Sequence, residues 1–239
     1  MAKHVLITGF EPFGGEKVNP SELVARSLEG RLIAGRPLAV RTLPVETRTL
    51  GERLRRAVAE ESPDIVVCLG QAGGRTGMAI ERVALNVLDF DQADNVGVMR
   101  KNDTIQRGGP DARLSPLPFG EIVTAWTENG IPGYVSNSAG TFLCNQALYE
   151  VLAVAESVSP PILAGFVHLP YLPAQAAARG AGETPSMALE VMKRGIEILL
   201  ETVVPWVEQR TPDRGPARTA ATAKGPQVWI PRGVKEVER

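Results

Sequence analysis

Thiol, imidazole and carboxylate are the three parts of an activated cysteine nucleophile, and this 239-residue chain offers a candidate for each. Cys144 lies in Ser138-Ala-Gly-Thr-Phe-Leu-Cys144-Asn145. His168 closes the apolar run Pro161-Ile-Leu-Ala-Gly-Phe-Val-His168-Leu-Pro170. Glu81 follows a glycine-rich stretch, Gly70-Gln-Ala-Gly-Gly-Arg-Thr-Gly-Met-Ala-Ile-Glu81. Only two histidines occur in the whole chain, which leaves little choice of general base. Such a set breaks acyl bonds: sulfur attacks a carbonyl, imidazole moves the proton, and the carboxylate orients the ring.

Each residue also has a plainer reading. Most free cysteines are small buried hydrophobes, and Cys68 in Ile65-Val-Val-Cys68-Leu69 fits that description. Cys144 stands instead between an expected strand and an expected helix. In the first turn of that helix, unpaired N–H groups and the dipole would favour its thiolate. His168 ends an expected strand just before Pro170, and in open α/β sheets the carboxyl ends of strands line the ligand crevice. A satisfied, half-buried core histidine is the alternative. His4 begins its strand, at the wrong edge of a parallel sheet. Glu81, next to Arg82, reads equally as half of a surface ion pair, and spacing alone does not place it beside His168.

The elements that must position these groups follow from short apolar runs alternating with amphipathic stretches, the pattern of an α/β layered domain. Strands are expected at 4–8, 39–43, 64–69, 133–137 and 162–168, each continuously apolar as in sheets covered on both faces. Helices are expected from Asn19-Pro20-Ser21-Glu22, where Asn is the N-cap and Pro the first helical residue, and over 49–61, 119–129, 143–157 and 185–207. Residues 89–118 are rich in Gly, Pro, Asp and Asn and read as a long functional loop with room for a hairpin. The loop Gly9-Phe10-Glu11-Pro12-Phe13-Gly14-Gly15 follows the first strand but matches no phosphate-binding fingerprint. Phe10 and Phe13 there read either as walls of a small apolar pocket or as loop packing.

Composition bounds the remaining choices. Hydrophobic residues make up 44% and charged residues 22%, ordinary values for a globular chain. The formal net charge of -1 supplies no global field to recruit nucleic acid or acidic lipid. The amino terminus enters a strand pattern at once, without a signal-peptide layout, and no apolar run is long enough to span a bilayer. Two distant cysteines make no disulfide framework and fit a reduced, cytoplasmic setting. No zinc-ligand spacing occurs, so neither metal nor cofactor is expected. Residues 210–239 carry seven Lys and Arg against three Asp and Glu, with many Pro, Ala and Thr. They read as a flexible basic tail following a single catalytic domain over residues 1–209.

Four stretches together resemble the pyroglutamyl peptidase I (pyrrolidone-carboxylate peptidase) family of cysteine peptidases. They are Val5-Leu-Ile-Thr-Gly-Phe-Glu-Pro-Phe-Gly-Gly15 with Asn19-Pro20-Ser21, the segment around Glu81, Ser136-Asn-Ser-Ala-Gly-Thr-Phe-Leu-Cys144-Asn145, and Phe166-Val-His168-Leu-Pro170. The resemblance implies a three-layer α/β/α sandwich around a mostly parallel twisted sheet, and removal of an N-terminal pyroglutamyl residue from peptides. It implies Cys144 as nucleophile, His168 as base and acid, and Glu81 as the orienting carboxylate. Phe10, Phe13 and Phe142 would wall the pyrrolidone ring, with Gln71 lending its backbone and Asn19 aiding recognition. A homo-oligomer is also implied. An uncharged lactam suits apolar walls with a few hydrogen bonds and no countercharge.

One position departs from the family pattern: Asp91 stands where the family usually carries an arginine. Arg82 or Arg100 is a candidate replacement, and backbone N–H groups at Cys144 could still hold an oxyanion. The departure leaves room for a related cysteine amidase acting on another small acyl group. A non-catalytic binder of small ligands on the same fold is the alternative from a different class.

Overall fold

Four of the five strands expected from continuous apolar runs form the middle of a seven-stranded sheet, and the fifth, expected at 133–137, is a partly exposed edge strand. In this computed structural model β1 (Val5–Phe10), β4 (Ile65–Gln71) and β11 (Leu163–Leu169) are buried at every residue. They pair in parallel, with β3 (Arg36–Leu43) beyond β1. The two-residue β2 (Leu32–Ile33) closes one edge, antiparallel to β3. At the other edge lie β5 (Met78–Glu81) and β10 (Gly133–Ser136), parallel to each other. The full order is β10-β5-β11-β4-β1-β3-β2. The structure describes residues 4–159, 161–180 and 182–210, so the basic stretch from 211 onward lies outside the described residues.

Helices cover both faces. On one side pack α1 (Pro20–Ser27), α3 (Phe119–Glu128) and α6 (Leu189–Arg210), through Val24, Leu28, Trp126, Met192, Ile196 and Leu199. On the other pack α2 (Leu50–Glu61) and α4 (Leu143–Ser157), through Leu50, Leu54, Leu148 and Leu152. The result is a three-layer α/β/α sandwich on a mostly parallel sheet. Asn19 caps α1 as its type predicts: its Oδ1 accepts from Ser21 N at 3.0 Å, with Pro20 opening the helix.

Several details differ from the sequence expectations. β5 was not anticipated, and it runs antiparallel to β11, so the sheet is mixed at that edge. The last helix begins at Leu189, not at 185, because Ser186 bridges Tyr171 and Met187 N donates to Tyr171 O at 2.8 Å. It continues to Arg210, one residue into the stretch assigned to the tail. A short helix, α5 (Pro173–Ala178), follows β11. The segment 89–118 does hold hairpin pairing. β7 (Leu88–Phe90) pairs with β8 (Arg100–Asp103), and β6 (Val83–Leu85) with β9 (Ala112–Leu114). Among the described residues no helix is long and apolar enough to cross a membrane.

Candidate active site

Successive strand residues face opposite sides of a sheet, and that two-residue period gathers the site. Along β11, Leu163, Val167 and Leu169 join the core under α1, α3 and α6, while Ala164 and Phe166 join the core under α2 and α4. His168 keeps the parity of Ala164 and Phe166. Along β5, Met78 and Ile80 face the first layer, so Glu81 faces the second. On β4 the same alternation sends Cys68 and Gly70 toward α4. Glu81, His168 and the first turn of α4 therefore meet on one side of the sheet.

There Glu81 is fully buried and His168 nearly so. His168 Nδ1 donates to Glu81 Oε1 at 2.7 Å, which fixes the ring and leaves Nε2 as acceptor in the neutral tautomer. Phe166 packs edge-on against the imidazole, with centroids 4.9 Å apart. Burial holds His168 below its ordinary 6.5, more strongly than the neighbouring Glu81 raises it. A neutral imidazole at pH 7 is a competent proton acceptor. Glu81 is thus no surface partner of Arg82, whose guanidinium stacks over Phe119 at 5.4 Å. His4 lies on another edge, 3.8 Å from Glu61.

Cys144 is the second residue of α4, after the extended Phe142 N-cap, and no side chain caps that helix. Its first-turn N–H groups are therefore available to an incoming oxyanion. The buried Asn145 clips this turn to the glutamate segment. It accepts from Leu85 N at 2.9 Å and donates to Leu85 O at 2.8 Å and Val87 O at 3.0 Å. Gly70 makes room for the sulfur, since a Cβ on Gly70 would lie 2.9 Å from Cys144 Sγ and 2.6 Å from Phe166 Cζ. Burial first, and the charge of Glu81 second, push the Cys144 thiol up to about 12, while Arg75 acts the other way. Thiol and imidazole line one cavity.

That cavity encloses about 500 Å³ and includes Phe13, Gln71, Phe90, Phe142, Cys144 and His168 in its walls. It runs into a narrow apolar recess lined by Phe10, Phe13, Asn19, Gln71, Phe142 and Cys144. All five residues expected to bind substrate thus surround the sulfur. Phe142 stands between Phe13, at 5.9 Å, and Phe90, edge-on at 4.7 Å. Gln71 Oε1 accepts from Gln175 Nε2 at 2.9 Å, and Asn19 Nδ2 donates to Glu11 O at 3.0 Å, steadying the phenylalanine loop. Asp91 also lines the open cavity, but it is 83% exposed and paired with Lys101 at 2.6 Å. It belongs to the rim. Neither Arg82 nor Arg100 lines the cavity. Among the described residues, cations near the site include Arg75, on Glu81, and at the rim Arg179, on Glu16, and Lys101, on Asp91. Sequence reasoning missed Arg75, Phe90, Asn145 and Gln175.

The chain matches the family model described as pyroglutamyl peptidase over residues 3–205. It is 45% identical over 198 residues to the pyrrolidone-carboxylate peptidase of Thermococcus onnurineus (strain NA1), covering 83% of this chain and 97% of the relative. Against the enzyme of that name from Pyrococcus furiosus it is 41% identical, covering 84% and 99%. A mutant pyrrolidone carboxyl peptidase structure from P. furiosus superimposes with a TM-score of 0.83 at 38% identity, covering 85% of this chain and 99% of that one. The structure of pyroglutamyl peptidase I from Bacillus amyloliquefaciens gives 0.81 at 36% identity, covering 85% and 97%.

Proposed function

This chain belongs to the pyroglutamyl peptidase family of cysteine peptidases, and on that premise we propose that Cys144, His168 and Glu81 carry out its hydrolytic chemistry. The protein removes N-terminal pyroglutamyl residues from peptides. The observation that supports these roles best is the buried Glu81–His168 hydrogen bond opening into the Phe-walled cavity that holds the Cys144 thiol.

Attack and proton transfer are coupled, since thiol and imidazole open into the same cavity. The Sγ–H proton passes to His168 Nε2 as sulfur bonds to the pyroglutamyl carbonyl carbon. The resulting oxyanion lies at the uncapped N–H groups of α4. On collapse, His168 returns its proton to the leaving amine and a thioester remains. Water, deprotonated by His168, then releases pyroglutamate and restores the thiol. Glu81 offsets the positive charge that the ring carries between these steps.

Hydrolysis of a pyroglutamyl amide, compared with proline- and glutamine-blocked amides, tests the reading. Rapid cleavage of the pyroglutamyl substrate is expected. Cleavage of the others alone, or of none, overturns it. A homo-oligomer in the cytoplasm completes the proposal. Two unpaired cysteines suit that compartment. Sedimentation as a monomer at micromolar concentration argues against the oligomer.

A further inference from the structure

Arg75 sits on the turn between β4 and β5, and Nη1 of its guanidinium donates to Glu81 Oε1 at 2.9 Å. His168 Nδ1 bonds that same oxygen at 2.7 Å. The other carboxylate oxygen, Oε2, is buried and has no hydrogen-bond partner among the described residues. Two donors therefore converge on one atom of a fully buried anion. Among the described residues Arg75 is the one Lys or Arg within ion-pair distance of Glu81. Its side chain is 22% exposed and reaches the Tyr134 hydroxyl at 3.5 Å, so it bridges the site and the β10 edge.

We propose that Arg75 is a positioning residue of the hydrolytic site, pairing with Glu81 so that His168 can stand uncharged beside a buried carboxylate. The inference rests on the roles given above to Cys144, His168 and Glu81. With Arg75 present, the group of Arg75, Glu81 and neutral His168 carries no net charge. Without it, the buried charge of Glu81 is balanced only when His168 holds a proton, and a protonated ring takes none from the thiol. The positive charge of Arg75 also favours ionisation of Cys144, against the opposing effect of Glu81. Loss of Arg75 therefore moves two titrations in the same direction, upward in pH.

The titratable groups facing the pair are Arg75 before β5, Tyr134 on β10, Cys144 on α4 and Cys68 on β4. At the cavity mouth Glu16 is neutralised by Arg179 and Asp91 by Lys101. Arg75 is the member whose charge can be removed without touching thiol, imidazole or carboxylate.

The test compares Arg75→Gln and Arg75→Lys with the parent enzyme by two readouts. One is the pH profile of kcat/KM for a pyroglutamyl amide. The other is the pH dependence of Cys144 alkylation by iodoacetamide, which needs no substrate. Arg75→Gln should lower kcat/KM about tenfold, mostly in kcat, and move its acid limb to higher pH. Its Cys144 should alkylate more slowly than the parent's at the same alkaline pH. Arg75→Lys keeps the charge, so its acid limb should stay with the parent while kcat falls through poorer geometry. A glutamine variant with an unmoved acid limb and unmoved alkylation reduces Arg75 to a strut for the turn and overturns the inference. If the glutamine variant fails to fold, the lysine variant decides alone, and an acid limb shifted upward overturns it. Parent enzyme inert toward pyroglutamyl amides sinks the functional reading instead, and alkylation still decides the role of Arg75.

Discussion

The two faces of the central sheet follow one alternation and end in different chemistry. Toward α1, α3 and α6, the residues Ile65, Val67, Leu69, Met78, Ile80, Val167 and Leu169 are all apolar. Toward α2 and α4, the pattern runs apolar through Val66, Cys68, Ala164 and Phe166, then breaks into Gly70, Glu81 and His168 where the strands meet the N-terminus of α4. The first face is built for packing alone. On the second, the same apolar rows provide a rigid, dry floor, and the break at their end provides the reactive groups. A buried polar residue costs free energy unless it is partnered, and here Glu81 is partnered by both His168 and Arg75.

The largest expected effect separates the two cysteines that share the second face. Cys144→Ala removes the atom that bonds the substrate, and turnover of a pyroglutamyl amide should become undetectable in pure protein. Glu81→Gln comes next. It keeps the shape but can offer His168 an amide N–H in place of the acceptor, and it loses the charge that stabilises the imidazolium. A fall in kcat of about 10²–10⁴ with little change in KM is expected. Full activity in Glu81→Gln would detach the buried bond from catalysis and leave the second face no more specialised than the first.

Gly70→Ala sharpens the comparison at a single carbon. The added Cβ meets both Cys144 Sγ and Phe166, at 2.9 and 2.6 Å, and Phe166 is fully buried in the core under α2 and α4. Displacing the sulfur should lower kcat about 10–100-fold, and crowding should cost roughly 1–3 kcal/mol in unfolding experiments. On the opposite face Gly165 is equally crowded, by Leu117 at 2.1 Å. An alanine there should lower stability while sparing kcat in the protein that remains folded.

Much of this arrangement was legible in the chain. Continuous apolar runs marked β1, β4 and β11, and the Asn-Pro-Ser-Glu cap marked α1. The placement of Cys144 in a first helical turn followed from the glycine-bearing segment before Leu143. What escaped has physical reasons. β5 is four residues long with no turn signal after Glu81, so neither its existence nor its reversed direction could be read. α5 is six residues, too short to show a period. Arg75 stands in Gly73-Gly74-Arg75-Thr76-Gly77, where no periodicity reveals the direction of a side chain; a lone cation among glycines was its only mark. The burial that raises the Cys144 thiol likewise has no local mark in the sequence, because it comes from packing between distant segments.

The smallest effect on activity belongs to Cys68. It lies on β4 two residues before Gly70, on the same face as the site, and burial pushes its thiol up to about 12, as for Cys144. The difference is access: Cys68 has no exposed surface, whereas Cys144 opens into the 500 Å³ cavity. Similar thiols should therefore behave unlike each other only where a reagent must arrive. In native protein, iodoacetamide should label Cys144 and spare Cys68, and both should label after denaturation. Cys68→Ala should leave kcat/KM within about twofold, while the void it leaves in the α2–α4 core costs about 1–2 kcal/mol. For a chain of this size that is a fall of a few degrees in Tm. A large loss of activity in a folded Cys68→Ala protein would mean that the floor beneath the site transmits packing changes to the sulfur. The apolar rows of the second face would then belong to the catalytic machinery, and the line between its packing and its chemistry would move two residues toward the core.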